Sequence, residues 1–158
     1  MKLACDVMLG RLARWLRVSG HDVFYEGGIE RSSLFRVARE EGRVIITRAG
    51  NWGELKAIPE YVVVSSDSLD EQLLELYRKL PGLDPLEGFL TRCVECNVPL
   101  EVIDRDAFRE IIPPKAFDLA GRFSRCPSCG KILWEGTHVR RMKKRISDLA
   151  RALGRELP

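Results

Sequence analysis

No run of about 18 consecutive apolar residues occurs in the chain, so we expect no helix that spans a membrane. Residues 1–6 (MKLACD) turn polar too early for a secretory signal peptide, which predicts a cytoplasmic protein. There is no low-complexity tract, and a composition of 45% hydrophobic and 31% charged residues argues against disorder. Amide side chains are scarce beside abundant Arg and Glu, a bias that suits a thermophile.

The length of 158 residues favours one domain, or a compact domain with a small satellite. In the first half, segments of helical periodicity alternate with short apolar runs at residues 2–5, 22–25, 43–47 and 61–65. Strands that are apolar throughout predict a parallel sheet covered by helices, because both faces of such a sheet are buried. Ser32 or Ser33 can cap the second helix, and Ser68 with Glu71 forms a capping box for the third.

The pattern breaks at residues 81–85 (PGLDP), which reads as a linker. A cysteine-containing segment and a final helix, roughly 139–153, follow it. We therefore expect four units: an α/β domain at 1–80, a linker at 81–88, a cysteine module at 89–138 and a basic C-terminal helix at 139–158.

Charge is distributed unevenly along the chain. Residues 1–88 carry 12 Lys and Arg against 14 Asp and Glu, whereas residues 89–158 carry 14 against 9. Between His138 and Arg155 there are seven Lys and Arg, and Asp148 is the only acidic residue. A basic terminal segment on a neutral body indicates contact with a polyanion, although a solvated helix face would have the same composition.

Four of the five cysteines form two C-x-x-C pairs, Cys93 with Cys96 and Cys126 with Cys129. Two such knuckles let four thiolates converge on one Zn²⁺, and four thiolates without an open position make a structural site. A redox dithiol or a coincidental spacing is the alternative. Cys5 lies inside an expected strand, where we predict a buried and inert thiol.

Four sequence blocks resemble one known family, the Mut7-C RNase domain. They are residues 6–17 (DVMLGRLARWLR), 39–48 (REEGRVIITR), 92–100 (RCVECNVPL) and 125–142 (RCPSCGKILWEGTHVRRM). The resemblance implies a PIN-like α/β nuclease domain followed by a zinc ribbon. It also implies RNA cleavage with Mg²⁺ or Mn²⁺ held by acidic residues at the strand ends, since two such ions about 4 Å apart need several carboxylates.

The chain departs from that family at the acidic positions. Asp6 matches the family's first acidic ligand, but Ala49 stands where the family usually has Asp after a Thr-Arg pair. In place of the family's acidic cluster before the second helix, only Glu30 is acidic, and Asp67 follows the fourth expected strand. These differences predict a degenerate nuclease site, with Asp6, Asp67 and Glu30 as the residual candidates for catalysis.

Working sites of parallel sheets lie beyond the carboxyl ends of the strands, where Asp6, Arg48 and residues 65–68 are expected. Cations near that edge or in the basic tail are our candidates for RNA contact, unless they are ordinary surface charge. The candidates are Arg11, Arg14, Arg48, His138, Arg140, Arg141, Lys143 and Lys144. His138 matches a Gly-Ser/Thr-His element of the family, and without a triad it is expected to be structural or to contact RNA. Trp15 is expected in the core.

Three hypotheses remain open. The first is an RNA-binding protein with a decayed nuclease site, which acts on a large structured RNA such as the ribosome. The second is an active Mg²⁺- or Mn²⁺-dependent ribonuclease that uses Asp6, Asp67 and Glu30. The third is a protein-interaction adaptor, because zinc ribbons and PIN-like domains both serve in that role.

Overall fold

A computed structural model describes residues 1–54, 58–86, 88–119 and 121–155. Its first half contains a four-stranded sheet with the strand order β2-β1-β3-β4. The strands are β1 (Lys2–Cys5), β2 (Asp22–Phe24), β3 (Val44–Thr47) and β4 (Tyr61–Val63), and each neighbouring pair is parallel. The predicted parallel sheet is therefore confirmed.

Helices α1 (Gly10–Val18), α2 (Arg31–Glu41) and α3 (Leu69–Lys79) connect and cover the strands. Their caps differ from those expected. Glu30, rather than Ser32 or Ser33, precedes the first turn of α2. Ser68 does precede α3, but its side chain makes no capping bond. The predicted bond from the Ser68 N–H to Glu71 is replaced by the Ser66 hydroxyl, which accepts from the Ser68 N–H and donates to Glu71.

Buried side chains on the two faces of the sheet explain why the strands are apolar throughout. Leu3, Cys5 and Ile46 face a core that α1 and α3 complete with leucines such as Leu12 and Leu73. On the other face, a second cluster joins α2 to the sheet; its buried members are Ala4, Leu34, Ala38, Ile45 and Trp52. Cys5 is fully buried, as predicted.

The second half is built on a three-stranded antiparallel sheet. Its strands are β5 (Glu101–Val102), β6 (Phe123–Arg125) and β7 (Ile132–Trp134). A short helix, α4 (Pro114–Leu119), packs over it through Phe117, which with Ile112 and Phe123 forms a small separate core.

The last helix, α5 (Thr137–Ala152), returns to the α/β half of the molecule. Its buried residue Leu149 belongs to the core beneath α1 and α3, and its Arg145 pairs with Asp70 of α3 at 2.6 Å. Within the described ranges no helix is long and apolar enough to cross a membrane.

The connection between the two halves passes very close to the C-terminal end of α1. A Cβ atom on Gly20, which has a φ of +91°, would lie 2.1 Å from the Gly88 carbonyl oxygen. Two residues later, the Leu90 N–H donates to the Val18 carbonyl at 2.8 Å. The cysteine module is thus held against α1 from its first residues.

Candidate metal centre and nucleic-acid interface

Asp6 lies at the carboxyl end of β1, where it is 8% exposed. Its Oδ1 accepts a hydrogen bond from the Met8 N–H at 2.9 Å, and so caps the short 3-10 turn Val7–Leu9. Its Oδ2 accepts from the Thr47 hydroxyl at 2.5 Å and from the Arg48 N–H at 3.3 Å. Both carboxylate oxygens therefore have protein donors, which tie the end of β1 to the end of β3.

Arg48 brings a cation to the same edge of the sheet. Its guanidinium pairs with the Asp67 carboxylate at 2.5 Å and lies 3.5 Å from the Ser65 carbonyl oxygen. Asp67 itself is 89% exposed. Ala49 is half-buried against the second core cluster, and its N–H donates to the Thr47 hydroxyl. The edge thus holds Asp6 and Asp67, but a guanidinium neutralises one of them.

The structure does not gather the predicted acidic residues into a cluster. Glu30 is exposed at the start of α2. Among the described residues, the only group of three or more His, Cys, Asp or Glu side chains placed to hold one metal ion consists of the cysteines at 93, 96, 126 and 129.

The four cysteine sulfurs all lie within 4.8 Å of one another, and those of Cys93 and Cys129 are 3.9 Å apart. A tetrahedron with metal–sulfur bonds of about 2.3 Å has edges of about 3.8 Å, so the cluster needs little adjustment to surround one ion. Each knuckle also orients its first sulfur. The Cys96 N–H donates to the Cys93 sulfur at 3.5 Å, and the Cys129 N–H donates to the Cys126 sulfur at 3.4 Å.

Local hydrogen bonds favour the thiolate form of one ligand. Burial raises the pKa of the Cys126 thiol, but hydrogen bonds from the backbone N–H groups of Cys129 and Ser128 and from the thiols of Cys129 and Cys93 together bring the pKa to about 7. Burial raises the pKa of the Cys93 thiol to about 11, so that ligand gives up its proton when a cation compensates the charge. This is the donor set of a closed metal centre.

Two polar side chains, one buried and one half-buried, dock the first knuckle on the α/β domain. Arg17, which is 7% exposed, donates to the carbonyl oxygens of Val94 and Glu95 at 2.9 Å and to that of Val23 at 3.0 Å. Asn97 accepts from the Val23 N–H at 3.0 Å and so bonds to β2, the edge strand of the parallel sheet. The first knuckle is therefore bonded to both α1 and β2.

Sequence reasoning missed the roles of Arg17 and Asn97. Nothing in the helical periodicity of α1 marks Arg17 as buried, and its position follows from carbonyl groups about 80 residues further along the chain. Asn97 has a positive φ of 61°, which is tolerated by Asn, and stands directly after the first knuckle. That position was the one available sequence signal.

The candidate RNA-contacting cations divide into two groups. Arg14, Arg48 and Lys144 form ion pairs with Glu95, Asp67 and Asp148. The other five form no ion pair with a described residue and are exposed: Arg11, His138, Arg140, Arg141 and Lys143. His21, the second histidine, is half-buried against Tyr77, and burial lowers its pKa to about 4. These five side chains therefore lie on α1 and α5, whereas Arg48 directly follows the end of β3.

A cavity of about 460 Å³ separates α1 from the cysteine module and the start of α5. We call it the α1–α5 cavity. Three of the candidate cations, Arg11, Arg14 and His138, line it together with Trp15. Trp15 packs against the main core as expected, and the Arg145 guanidinium lies 4.8 Å from its ring centroid.

A parallel α/β domain joined to a four-cysteine metal centre is the class of protein that these features define. The family model described as the Mut7-C RNAse domain matches residues 1–146, so the chain belongs to that family. No curated protein and no solved structure gives a significant match. Family membership makes this a nuclease-like domain related to RNA.

Proposed function

We propose that this protein binds RNA and that the nuclease site of its scaffold is degenerate. One observation carries the proposal: at the carboxyl edge of the sheet, the Arg48 guanidinium pairs with Asp67 while protein donors engage both oxygens of Asp6. RNA as the bound polymer follows from membership of an RNase domain family. The net charge of +3 and the basic α5 agree with a polyanionic partner.

The residues at the carboxyl edge do not fit a pair of divalent ions. Such ions need several carboxylates with free lone pairs, because hard cations are held by oxygen ligands and repel one another. Asp6 would have to give up hydrogen bonds to Thr47 and Arg48, and Asp67 would have to leave a guanidinium. Ala49 contributes no ligand. We therefore derive no cleavage step at this edge.

The free cations indicate where the RNA backbone is held. Arg140, Arg141 and Lys143 are exposed on α5, and Arg11 is exposed on α1. Lysine and arginine that lack internal partners can contact phosphates without first breaking an ion pair. A large structured RNA, the ribosome among the candidates, offers such phosphates over an extended surface.

Zinc is the ion that we propose for the cysteine centre. Four thiolates in a closed tetrahedral set are typical of structural Zn²⁺. The ion would hold the two knuckles together and keep the cysteine module in its position against α1. The proposed domain boundaries, the thermophilic origin and the cytoplasmic location stay predictions.

Two measurements on the zinc-loaded chain test the proposal. Binding of a labelled structured RNA, followed by fluorescence anisotropy at 50 to 200 mM salt, should show an affinity that falls steeply with salt, by about tenfold or more. Incubation of the same RNA with Mn²⁺ should leave it intact. The Asp6→Asn variant is the control for any residual cleavage.

The Ala49→Asp variant decides whether the scaffold was silenced at that position. If only this variant cuts RNA with Mn²⁺, the proposal of a degenerate nuclease stands. If the unmodified chain cuts and Asp6→Asn does not, Asp6, Asp67 and Glu30 form a working site and the protein is a ribonuclease. If no RNA binds and a protein partner associates independently of salt, the adaptor hypothesis replaces RNA binding.

A further inference from the structure

The α1–α5 cavity has apolar walls built from parts of the chain that are distant in sequence. Trp15 of α1, Val94 of the first knuckle, Leu133 of β7 and Met142 of α5 line it, and each of these side chains is half-buried. Its volume of about 460 Å³ lies in the range of small-ligand pockets and exceeds that of a single nucleobase. The walls thus suit a flat, largely apolar group.

Charge around the cavity selects an anion. Arg11 and Lys131 line it, are exposed and form no ion pair with any residue in the described part of the chain. The one carboxylate in the lining, that of Glu95, is paired with Arg14. An apolar chamber surrounded by free cations matches the two halves of a nucleotide, a base and its phosphates.

We propose that the α1–α5 cavity binds one unpaired nucleotide of a single-stranded RNA segment, with its base inside and its phosphates on Arg11 and Lys131. This inference rests on the proposed function, because it assumes that RNA is the partner. Bases of single-stranded loops and ends can leave the stack and enter a protein pocket, whereas bases in a duplex are paired and stacked. The cavity would therefore give the protein a preference for unpaired RNA.

The basic surface of α5 cannot supply that preference. Cations that contact phosphates fix the position of a nucleic acid but carry no information about its bases. Arg140, Arg141 and Lys143 should accordingly not favour the single strand, because a duplex carries more phosphate charge per unit length. Tighter binding of the single strand then reports on the cavity.

The first test fills the cavity. Anisotropy titrations of the zinc-loaded chain use a 12-nucleotide single-stranded RNA and the duplex that it forms with its complement. The single strand should bind about tenfold tighter than the duplex, as expected for one buried base. Met142→Trp should reduce the single-strand affinity by about tenfold and change the duplex affinity by less than about twofold. A 2-aminopurine base in the single strand should change its fluorescence on binding, and Met142→Trp should abolish that change.

The second test removes a cation and does not depend on how Trp packs at position 142. Arg11→Gln should weaken single-strand binding by about fivefold and lower the salt slope by about one. Arg78→Gln is the matched control, since Arg78 is also an exposed helical arginine without an ion pair to a described residue, and it lies on α3 outside the cavity lining. It should leave both values unchanged.

The outcomes separate this inference from the function on which it rests. If neither RNA binds the unmodified chain, the proposed function fails. If both RNAs bind and Met142→Trp and Arg11→Gln behave as the unmodified chain, RNA binding stands and the cavity proposal is overturned. Equal losses for single strand and duplex would also overturn it. The proposal is also overturned if the unmodified chain is a dimer that Met142→Trp dissociates while RNA binding stays unchanged. In that case the cavity binds a second copy of the chain.

Discussion

The carboxyl edge of the parallel sheet and the α1–α5 cavity differ in how far their charged groups are already paired. At the edge, Asp6 is bonded to Thr47 and to backbone N–H groups, and Arg48 neutralises Asp67. At the cavity, Arg11 and Lys131 have no ionic partner in the described ranges and stand beside apolar walls. One region is internally satisfied, and the other retains binding capacity.

On our proposal, this protein binds RNA away from the place where the fold customarily has its site. The rule that places sites beyond the carboxyl ends of strands describes where loops converge, and it holds here for the position of Asp6. It does not say whether the groups there remain available. Hydrogen bonds that consume both oxygens of a carboxylate make it a structural element, because any ligand must compete with donors already in place.

The largest effect is expected from the metal centre, which supports the cavity. Cys129→Ser should abolish stoichiometric zinc binding and lower the free energy of unfolding by at least about 4 kcal/mol, because ion binding and folding of the module are coupled. Zinc content by metal analysis and thermal unfolding measure the two effects. Unchanged stoichiometry would contradict a four-cysteine site. Cys5→Ala is the control: it should lose about 1–2 kcal/mol through a core cavity and keep its zinc.

Asp6→Asn tests whether the carboxyl edge is structural. The variant replaces an acceptor oxygen with an amide N–H₂ group that cannot satisfy the three donors of the carboxylate, so we expect a loss of about 2–3 kcal/mol in stability. A carboxylate kept for metal ions behaves in the opposite way, because its removal from a metal-free protein relieves repulsion. Denaturant unfolding with EDTA measures the sign. If Asp6→Asn stabilises the protein, the carboxyl edge is a metal site and Asp6 is not a structural residue.

Arg17→Met tests the docking that shapes the cavity. Loss of the Arg17 bonds to Val94 and Glu95 should cost about 2 kcal/mol and speed the release of zinc to a chelator. Arg14→Gln is the matched control on the same helix, since the Arg14–Glu95 pair is exposed and should contribute less than about 1 kcal/mol. Equal effects of the two substitutions would mean that the docking does not depend on the buried guanidinium.

Sequence patterns predict the parts of this molecule that follow from local rules. Continuous apolar strands such as residues 44–47 (VIIT) required a sheet covered on both faces, which is the observed arrangement. The C-x-x-C spacing placed Cys93 and Cys96 as neighbouring ligands, and the four sulfurs do converge. The helix caps were predicted less well, because Ser68 and Glu71 had Ser66 as a competing partner.

The remaining features depend on contacts between distant segments. Arg17 donates to the carbonyls of Val94 and Glu95, which lie about 80 residues away in the chain. The cavity exists because α1, β7 and α5 meet around Trp15. The hydrophobic periodicity of a single segment cannot predict contacts between segments that are distant in the sequence. The family resemblance matched Asp6 to the first acidic ligand of the family. Its hydrogen bonds with Thr47 and Met8 are visible only in the structure.

The smallest effect on stability is expected from a substitution at the carboxyl edge of the parallel sheet. Arg48→Gln removes the cation next to Asp67, and the loss in stability should stay below about 1 kcal/mol because Asp67 is almost fully exposed. If Arg48 alone blocked a metal site, the variant would bind Mn²⁺ and its melting temperature would rise with Mn²⁺ concentration. We expect no such rise, because Ala49 still provides no carboxylate and Asp6 keeps its bond to the Thr47 hydroxyl. The double variant Arg48→Gln, Ala49→Asp supplies the missing ligand and is the positive control. A rise in the single variant would show that the edge is a latent metal site closed by one guanidinium.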